Sequence, residues 1–379
     1  MHLYIHAPFC ARRCSYCDFA IAVRKTLPVR QYVDCIHREL ELVGAADPAA
    51  VPGGEPPTGA ELSTIYLGGG TPSLLPPEAI ATILGDVAHA MPSLDAGEIT
   101  LEANPDDVSV EGASAWRQAG VNRVSLGAQT FSERALQWMH RTHDAAQIGA
   151  AVKALTAAGI KNISLDLIFA LPAELERDWA KDLDRAIALA PAHLSLYGLT
   201  VEERTPLARW ISRGATSAPD DDRYADEYLL AHERLAAAGY HFYEVSNAAR
   251  EGQRSEHNSA YWSGRPYRGL GPAAHSFDGR TRRWNLAAWE AYRRAITAGQ
   301  SPIASEELLT SAQGRLEEVY LALRTAAGLP VGDCPSARLP DWVKAGWVRV
   351  HHDRIVCTPE GWLRLDALVR DLTGAPEAA

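Results

Sequence analysis

Short apolar runs alternate with amphipathic stretches through the first two hundred residues of the chain. Runs at 3–6, 64–67, 99–102, 123–127, 162–169 and 193–197 are dominated by Leu, Ile and Val and have the length of strands. Stretches at 30–43, 77–90, 110–118, 145–157 and 178–189 instead repeat their apolar positions three and four residues apart, which predicts helices with one buried face. A phrase recurs at three joints, WRQAGVNRVSL, LTAAGIKNISL and LAAAGYHFYEV. In each a glycine closes a helix and a new apolar run follows. Repetition of strand and helix predicts a parallel sheet, because parallel strands need a crossover between them. Six units fall short of the eight that close a barrel, so the expected fold is α/β, an open partial (β/α)6 barrel. Functional residues then belong at the C-terminal ends of the strands.

The rhythm changes after residue 201. A loop at 212–222, rich in Gly, Ser, Pro and Asp, ends in acidic residues suited to the start of a helix at 223–237. Residues 240–246 read as a strand, and 247–272 as loop carrying many aromatic and basic side chains. A helix at 315–326 precedes WVKAGWVRVHHDRIVCTPEGWLRLDALV, whose order of helix, strand, polar turn, strand and helix predicts a winged-helix-like unit. The expected division is a barrel at 1–205, an α+β extension at 206–300 and a small winged-helix-like C-terminal domain at 301–379.

Composition narrows the function classes. With 47% hydrophobic residues and a net charge of -10, the 379-residue chain reads as globular and not as a general nucleic-acid binder. The winged-helix-like unit is therefore expected to pack or to contact a partner. The opening MHLYIHAPFC lacks the basic and apolar regions of a signal peptide. No window reaches the roughly 18 to 20 apolar residues of a membrane span, so a soluble cytoplasmic protein is expected. Of six cysteines, three are clustered, and Cys35, Cys334 and Cys357 are scattered, which points to metal rather than disulfides.

The cluster is CARRCSYC, a C-x3-C-x2-C spacing of Cys10, Cys14 and Cys17 directly after the first predicted strand. Three thiolates can hold three irons of a [4Fe–4S] cluster and leave the fourth open. The alternative is zinc held by the three cysteines and His6, although zinc sites usually pair cysteines as C-x2-C knuckles. Later strand ends are polar or glycine-rich: YLGGGTPS, LEANP with Glu102, SLGAQTF with Gln129 and SLDLIFALP with Asp166. Arg141, in LQWMHRTHD, could pair with a carboxylate, Asp166 included. Singly these are plain turns or satisfied polar groups; together they outline one rim.

The cysteine spacing and its position resemble the radical S-adenosylmethionine (SAM) superfamily. That resemblance implies SAM chelated on the open iron through its amino nitrogen and carboxylate. The wider set, YIHAPFCARRCSYCDF, YLGGGTPS, LEANP, RVSLGAQTF, SLDLIFALP and YEVSNAAR…HNSAYW, resembles the oxygen-independent coproporphyrinogen III oxidase group from residue 3 to about 277. It implies Cys10, Cys14 and Cys17 as cluster ligands. It further implies SAM contacts at Tyr4, Tyr16, Gly69, Gly70, Thr71, Glu102, Gln129, Arg141 and Asp166; Thr200 aligns less closely and stays outside the set.

Two features separate the branches of that group. The decarboxylating oxidase carries C-x3-C-x2-C-x-C, and here the last position is Phe19. The haem-chaperone (HemW-type) branch carries phenylalanine there and an H-N-x-x-Y-W motif, here running from His257 to Trp262. The chain also starts almost at its first strand, without the N-terminal extension that closes the oxidase's substrate site. The resemblance thus implies haem as cargo and haem-dependent acceptors, membrane respiratory enzymes among them, with oxidative decarboxylation of coproporphyrinogen III as the alternative. Such a role is compatible with a homodimer and with peripheral attachment to the inner face of the membrane. His257 is the first candidate for an iron-bound imidazole, against the plainer reading of a hydrogen-bonded structural residue. His275 is the second, and the pair His351 and His352 reads as an exposed hairpin turn.

Overall fold

The computed structural model describes residues 2–45, 64–91, 97–333 and 337–374; Cys334 lies outside them. All six predicted strands form: β1 (His2–Ala7), β2 (Thr64–Gly69), β3 (Glu98–Ala103), β4 (Arg123–Gln129), β5 (Asn162–Phe169) and β6 (His193–Gly198). They pair in parallel and in sequence order. The predicted crossover helices are α1 (Val29–Ala45), α2 (Pro77–Ala90), α3 (Val110–Gln118), α5 (Ala145–Ala157) and α6 (Trp179–Ala188), with a short α4 (Glu133–Trp138) that periodicity did not signal. The three joint glycines, Gly120, Gly159 and Gly239, all take positive φ, as the left-handed helix end requires.

Register puts one apolar row against the helices. Leu3, Ile65, Ile99 lie side by side, as do Ile5, Leu67, Leu101, Val124 and Ile163. Tyr32, Ile36 and Leu40 of α1 and Ile80, Ile83 and Val87 of α2 belong to the same core. Because side chains alternate across a strand, the other row faces inward. There it carries Tyr4, Tyr66, Glu102, Ser125 and Asp166. A parallel sheet covered on both faces would be apolar on both, so this polar inner row marks a site and not a second core.

Residues 247–272 are more ordered than the expected loop. They contain β8 (Asn247–Ala249), which pairs with β6 and with β7 (His241–Glu244), then α9 (Glu256–Trp262) and β9 (Tyr267–Leu270). β9 joins the sheet as a parallel neighbour of β1, on the side away from β2. β10 (His275–Phe277), β11 (Thr281–Asn285) and β12 (Ile303–Leu308) continue antiparallel, so one 12-stranded open sheet runs through both segments. Short polar-rich strands with few apolar neighbours give little periodic signal; their pairing with the buried β1 stabilises them.

α8 (Asp221–Ala237) starts where the acidic residues fall, and Asp220 caps it by accepting from the Arg223 amide. Beyond α10 (Trp289–Thr297) and α11 (Ser311–Arg324), the C-terminal residues form a three-stranded sheet flanked by helices. The hairpin of that winged-helix-like unit turns at His352 and Asp353, both at positive φ. No helix among the described residues is long and apolar enough to cross a membrane.

Candidate functional site

At the C-terminal rim of the parallel strands lies a cleft of 440 Å³ lined by Cys10, Cys14 and Cys17. The cysteine loop is closed at its base by Ala22 N–H donating to Pro8 O (2.7 Å) and Arg24 N–H to Cys10 O (3.1 Å). Its middle is tied down through Ser15, whose amide donates to Met139 O and whose carbonyl accepts from Leu207 N–H. Thus α4 and α7 (Pro206–Ser212), neither of them legible in the sequence, position the cysteines. Burial pushes the Cys10 thiol up and the Cys17 thiol to about 11, so without a metal both are protonated.

Of the residues expected to contact SAM, Tyr16, Gly69, Gly70, Thr71, Glu102, Gln129, Arg141 and Asp166 line this same cleft. Gly69 sits at φ +112, and a Cβ there would meet the His6 ring at 2.5 Å. A Cβ on Gly70 would meet Phe9 O at 2.7 Å and Pro8 C at 2.8 Å, so only glycine lets this turn lie against the cysteine loop. Thr71 Oγ1 donates to Cys10 Sγ at 3.4 Å. Gln129 takes φ 65 where the β4–β5 register shifts, a strained conformation of the kind that collects at binding sites.

Glu102 accepts from Tyr66 OH and from Gly69 N–H, both at 2.9 Å. Burial raises its carboxyl to about 7 against the lowering effect of those two bonds. Asp166 receives Ser125 Oγ at 3.0 Å and Ser164 Oγ at 3.2 Å, and burial raises its pKa too. The anticipated pairing of Arg141 with Asp166 does not form. Arg141 instead donates to Asn104 Oδ1 (2.6 Å), Gly127 O (2.9 Å) and Cys14 Sγ (3.6 Å), while its Nε is buried with no partner among the described residues. Asn104, Ser125, Tyr197 and Thr200 also line the cleft. Asn104 was visible as a polar residue at a strand end, within LEANP itself, whereas Ser125 lies in the middle of β4 and only the alternation of side chains across the strand could have pointed to it.

Tyr4 departs from this group. Its ring stacks on Tyr66 at 6.0 Å and its hydroxyl meets His6 Nδ1 at 3.0 Å, on a second cavity of 980 Å³ beside the cleft. His6 also uses Nε2, toward Ala20 O at 3.2 Å, so both its nitrogens are committed away from the cysteines. A zinc site of three cysteines and His6 is therefore not assembled. Among the described residues no three metal-ligating side chains converge on a single-ion position. A cubane spreads its thiolates over separate irons and does not need them to converge on one ion. The orphaned Arg141 Nε, the glycine cradle and the three cysteines together fit a cluster and an anionic, hydroxyl-bearing ligand.

His257 is corrected more sharply. It is 1% exposed and opens on neither cavity. Nδ1 meets Thr64 Oγ1 at 2.7 Å, continuing to His2 Nδ1 at 2.8 Å, and Nε2 meets Tyr261 OH at 2.9 Å. Burial lowers its pKa to about 3. With both nitrogens used at the N-terminal ends of β1 and β2, the imidazole is a structural strut and has no lone pair free for iron. Glu98 completes the joint by accepting from the Ser255 hydroxyl and the Glu256 and His257 amides at the start of α9. His275 borders the second cavity, and His351 and His352 are exposed.

Comparison with known proteins identifies the family. Residues 4–186 match the Radical SAM superfamily. A protein named heme chaperone HemW from Mycobacterium tuberculosis is 38% identical, over 98% of this chain and 94% of its own length. The Bacillus subtilis protein of that name is 34% identical over 86% of this chain and 84% of its own. The solved structure of coproporphyrinogen III oxidase (HemN) from Escherichia coli, a radical SAM enzyme, superposes with a TM-score of 0.78 at 22% identity, covering 98% of this chain and 88% of that one. That likeness establishes the shared fold. The chain belongs to the radical SAM superfamily and, within its coproporphyrinogen oxidase-like group, to the HemW branch.

Proposed function

We propose that the protein binds a [4Fe–4S] cluster, SAM and haem, and hands the haem to haem-dependent proteins of respiration. The observation that carries this reading is the similarity to HemW chaperones along nearly the whole chain, 38% identity over 98% of its residues. Position 19 supports the same branch: Phe19 stands 61% exposed on the rim of the cleft, where the oxidase has a cysteine.

Cys10, Cys14 and Cys17 would hold the cluster, which would supply an open iron for SAM and one-electron reduction of its sulfonium. The chain's own residues do the rest. Gly69 and Gly70 bring backbone close to the ligand, Glu102 accepts hydroxyl hydrogens, and Asp166, braced by two serines, faces the cleft as a second acceptor. Arg141 fixes Asn104 and the β4 end against the cysteine loop and keeps a buried N–H for an anion. Residues 1–205 are assigned the cluster and SAM, 206–300 the haem-branch motif and 301–379 packing or partner contact.

The test is anaerobic reconstitution of the full chain, followed by separate assays of haem retention and of coproporphyrinogen III turnover with SAM and reductant. Stable haem retention without protoporphyrinogen formation is expected. Robust decarboxylation would replace this reading with the oxidase.

A further inference from the structure

The second cavity has no part in the cluster cleft, yet it is the larger of the two. At 980 Å³ it lies at the upper end of the roughly 300–1,000 Å³ of small-molecule sites. Tyr4, Tyr261, Trp262, Tyr267 and Phe277 give it aromatic walls. Tyr261 and Tyr267 meet edge to face, with centroids 4.6 Å apart. The strut described above holds that wall, because His257 bonds the Tyr261 hydroxyl from behind. The H-N-x-x-Y-W helix thus shows the cavity its tyrosine and tryptophan and keeps its histidine out of it.

Two kinds of polar group face the same space. His275 is exposed to it, stacked on Trp284 at an interplanar angle of 25°, and has no hydrogen-bond partner among the described residues. Partial desolvation and the nearby Arg282 lower its pKa, which favours the neutral imidazole, and no hydrogen bond among the described residues occupies its lone pair. Arg254 and Arg265 are exposed at the border and pair with no carboxylate among the described residues. Their neighbours are committed: Arg282 forms a two-pronged pair with Glu317, and Arg354 donates to the Ala327 and Gly328 carbonyls. Arg254 rests over the Tyr243 ring, 5.6 Å from its centroid, which leaves its N–H donors without a carboxylate. In a chain of net charge -10, arginines with no acidic partner beside an aromatic slot and a free imidazole select a flat, metal-bearing, carboxylated ring.

We infer that this cavity is the haem seat, with His275 as the iron ligand and Arg254 and Arg265 as partners of the propionate carboxylates. The inference rests on the haem-carrying reading above and adds to it a place and a ligand.

Cluster-loaded full chain is titrated with ferric haem, read by the Soret band, and with iron-free protoporphyrin IX, read by fluorescence. His275→Ala should shift the Soret band and weaken haem about tenfold or more, while protoporphyrin binding stays within about twofold. Arg254→Ala combined with Arg265→Ala should weaken both ligands about tenfold. His257→Ala should weaken both by loosening Tyr261, without moving the Soret band of the haem that still binds. Retained protoporphyrin binding is the check that His275→Ala is folded, and an unchanged circular dichroism spectrum with retained cluster absorbance is the check for the other variants. An unchanged Soret band and affinity in His275→Ala overturns the seat and leaves the haem-carrying reading standing. A wild-type chain that retains no haem overturns both.

Discussion

Glu102 is expected to make SAM binding depend on pH in a way its own substitution removes. The carboxyl is pushed up to about 7, first by burial and further by Asp166 across the strands; Tyr66, the Gly69 amide and Arg123 oppose the shift without cancelling it. Near neutrality the site is therefore divided between acid and carboxylate. If the carboxylate is the form that accepts ligand hydroxyls, affinity is full above about pH 8. It then falls about tenfold per unit below pH 7, close to 30-fold between pH 8 and pH 5.5. Glu102→Gln preserves the local bonding, because an amide oxygen can accept from Gly69 N–H while the amide NH2 donates to the Tyr66 hydroxyl. The variant should bind SAM about tenfold more weakly at pH 8, having lost a charged acceptor, and show no such slope. Anaerobic calorimetric titration of cluster-loaded protein from pH 5.5 to 8.5 measures both, and the ratio of wild type to variant removes any titration of SAM itself. A ratio that stays constant across that range refutes the reasoning.

Three further outcomes follow from the same geometry. Cys14→Ala should abolish the cluster's visible absorbance after reconstitution, whereas Cys35→Ala, buried in α1 outside the cleft, should leave it intact; equal losses would unseat the ligand set. Gly70→Ala places a methyl 2.7 Å from Phe9 O, so iron incorporation should drop severalfold with little change in helix content by circular dichroism. Glu39, buried beneath Tyr292, Asn285 and the Gly271 amide with no salt bridge among the described residues, has its carboxyl raised from 4.5 to about 7, chiefly by burial and against the pull of those bonds and of Arg268. Its folded pKa lies above the unfolded one. Its contribution to stability is therefore full below about pH 4.5 and lost as pH rises through 7, by up to about 3 kcal/mol. Urea unfolding at pH 5 and pH 8 should show that slope in wild type and a flatter one in Glu39→Gln, and identical slopes would count against it.

The strand and helix pattern, the glycine-closed joints and the cysteine loop were legible because each is written over a few neighbouring residues. A period of two or 3.6, or a C-x3-C-x2-C spacing, survives in the linear order of the chain. The strand-end rule then placed Glu102, Gln129 and Asp166 on one rim, and the cleft brings them together with Arg141 from the turn after α4. Sequence could not say that Arg141 would choose Asn104 over Asp166, since that depends on where the turn after α4 meets the strand ends.

Position 257 marks the limit. A histidine inside H-N-x-x-Y-W reads as a ligand, but β2 delivers Thr64 to one of its nitrogens and α9 delivers Tyr261 to the other. His275 reads as the lesser candidate, but β9 pairs beside β1 and carries β10 to the edge of a large aromatic cavity. By itself the sequence determined the open α/β barrel, the cluster loop and the branch of the family, all signals held within short windows. Tertiary structure alone decided which histidine is spent and which is free, because the partners that consume an imidazole's two nitrogens can come from almost two hundred residues away.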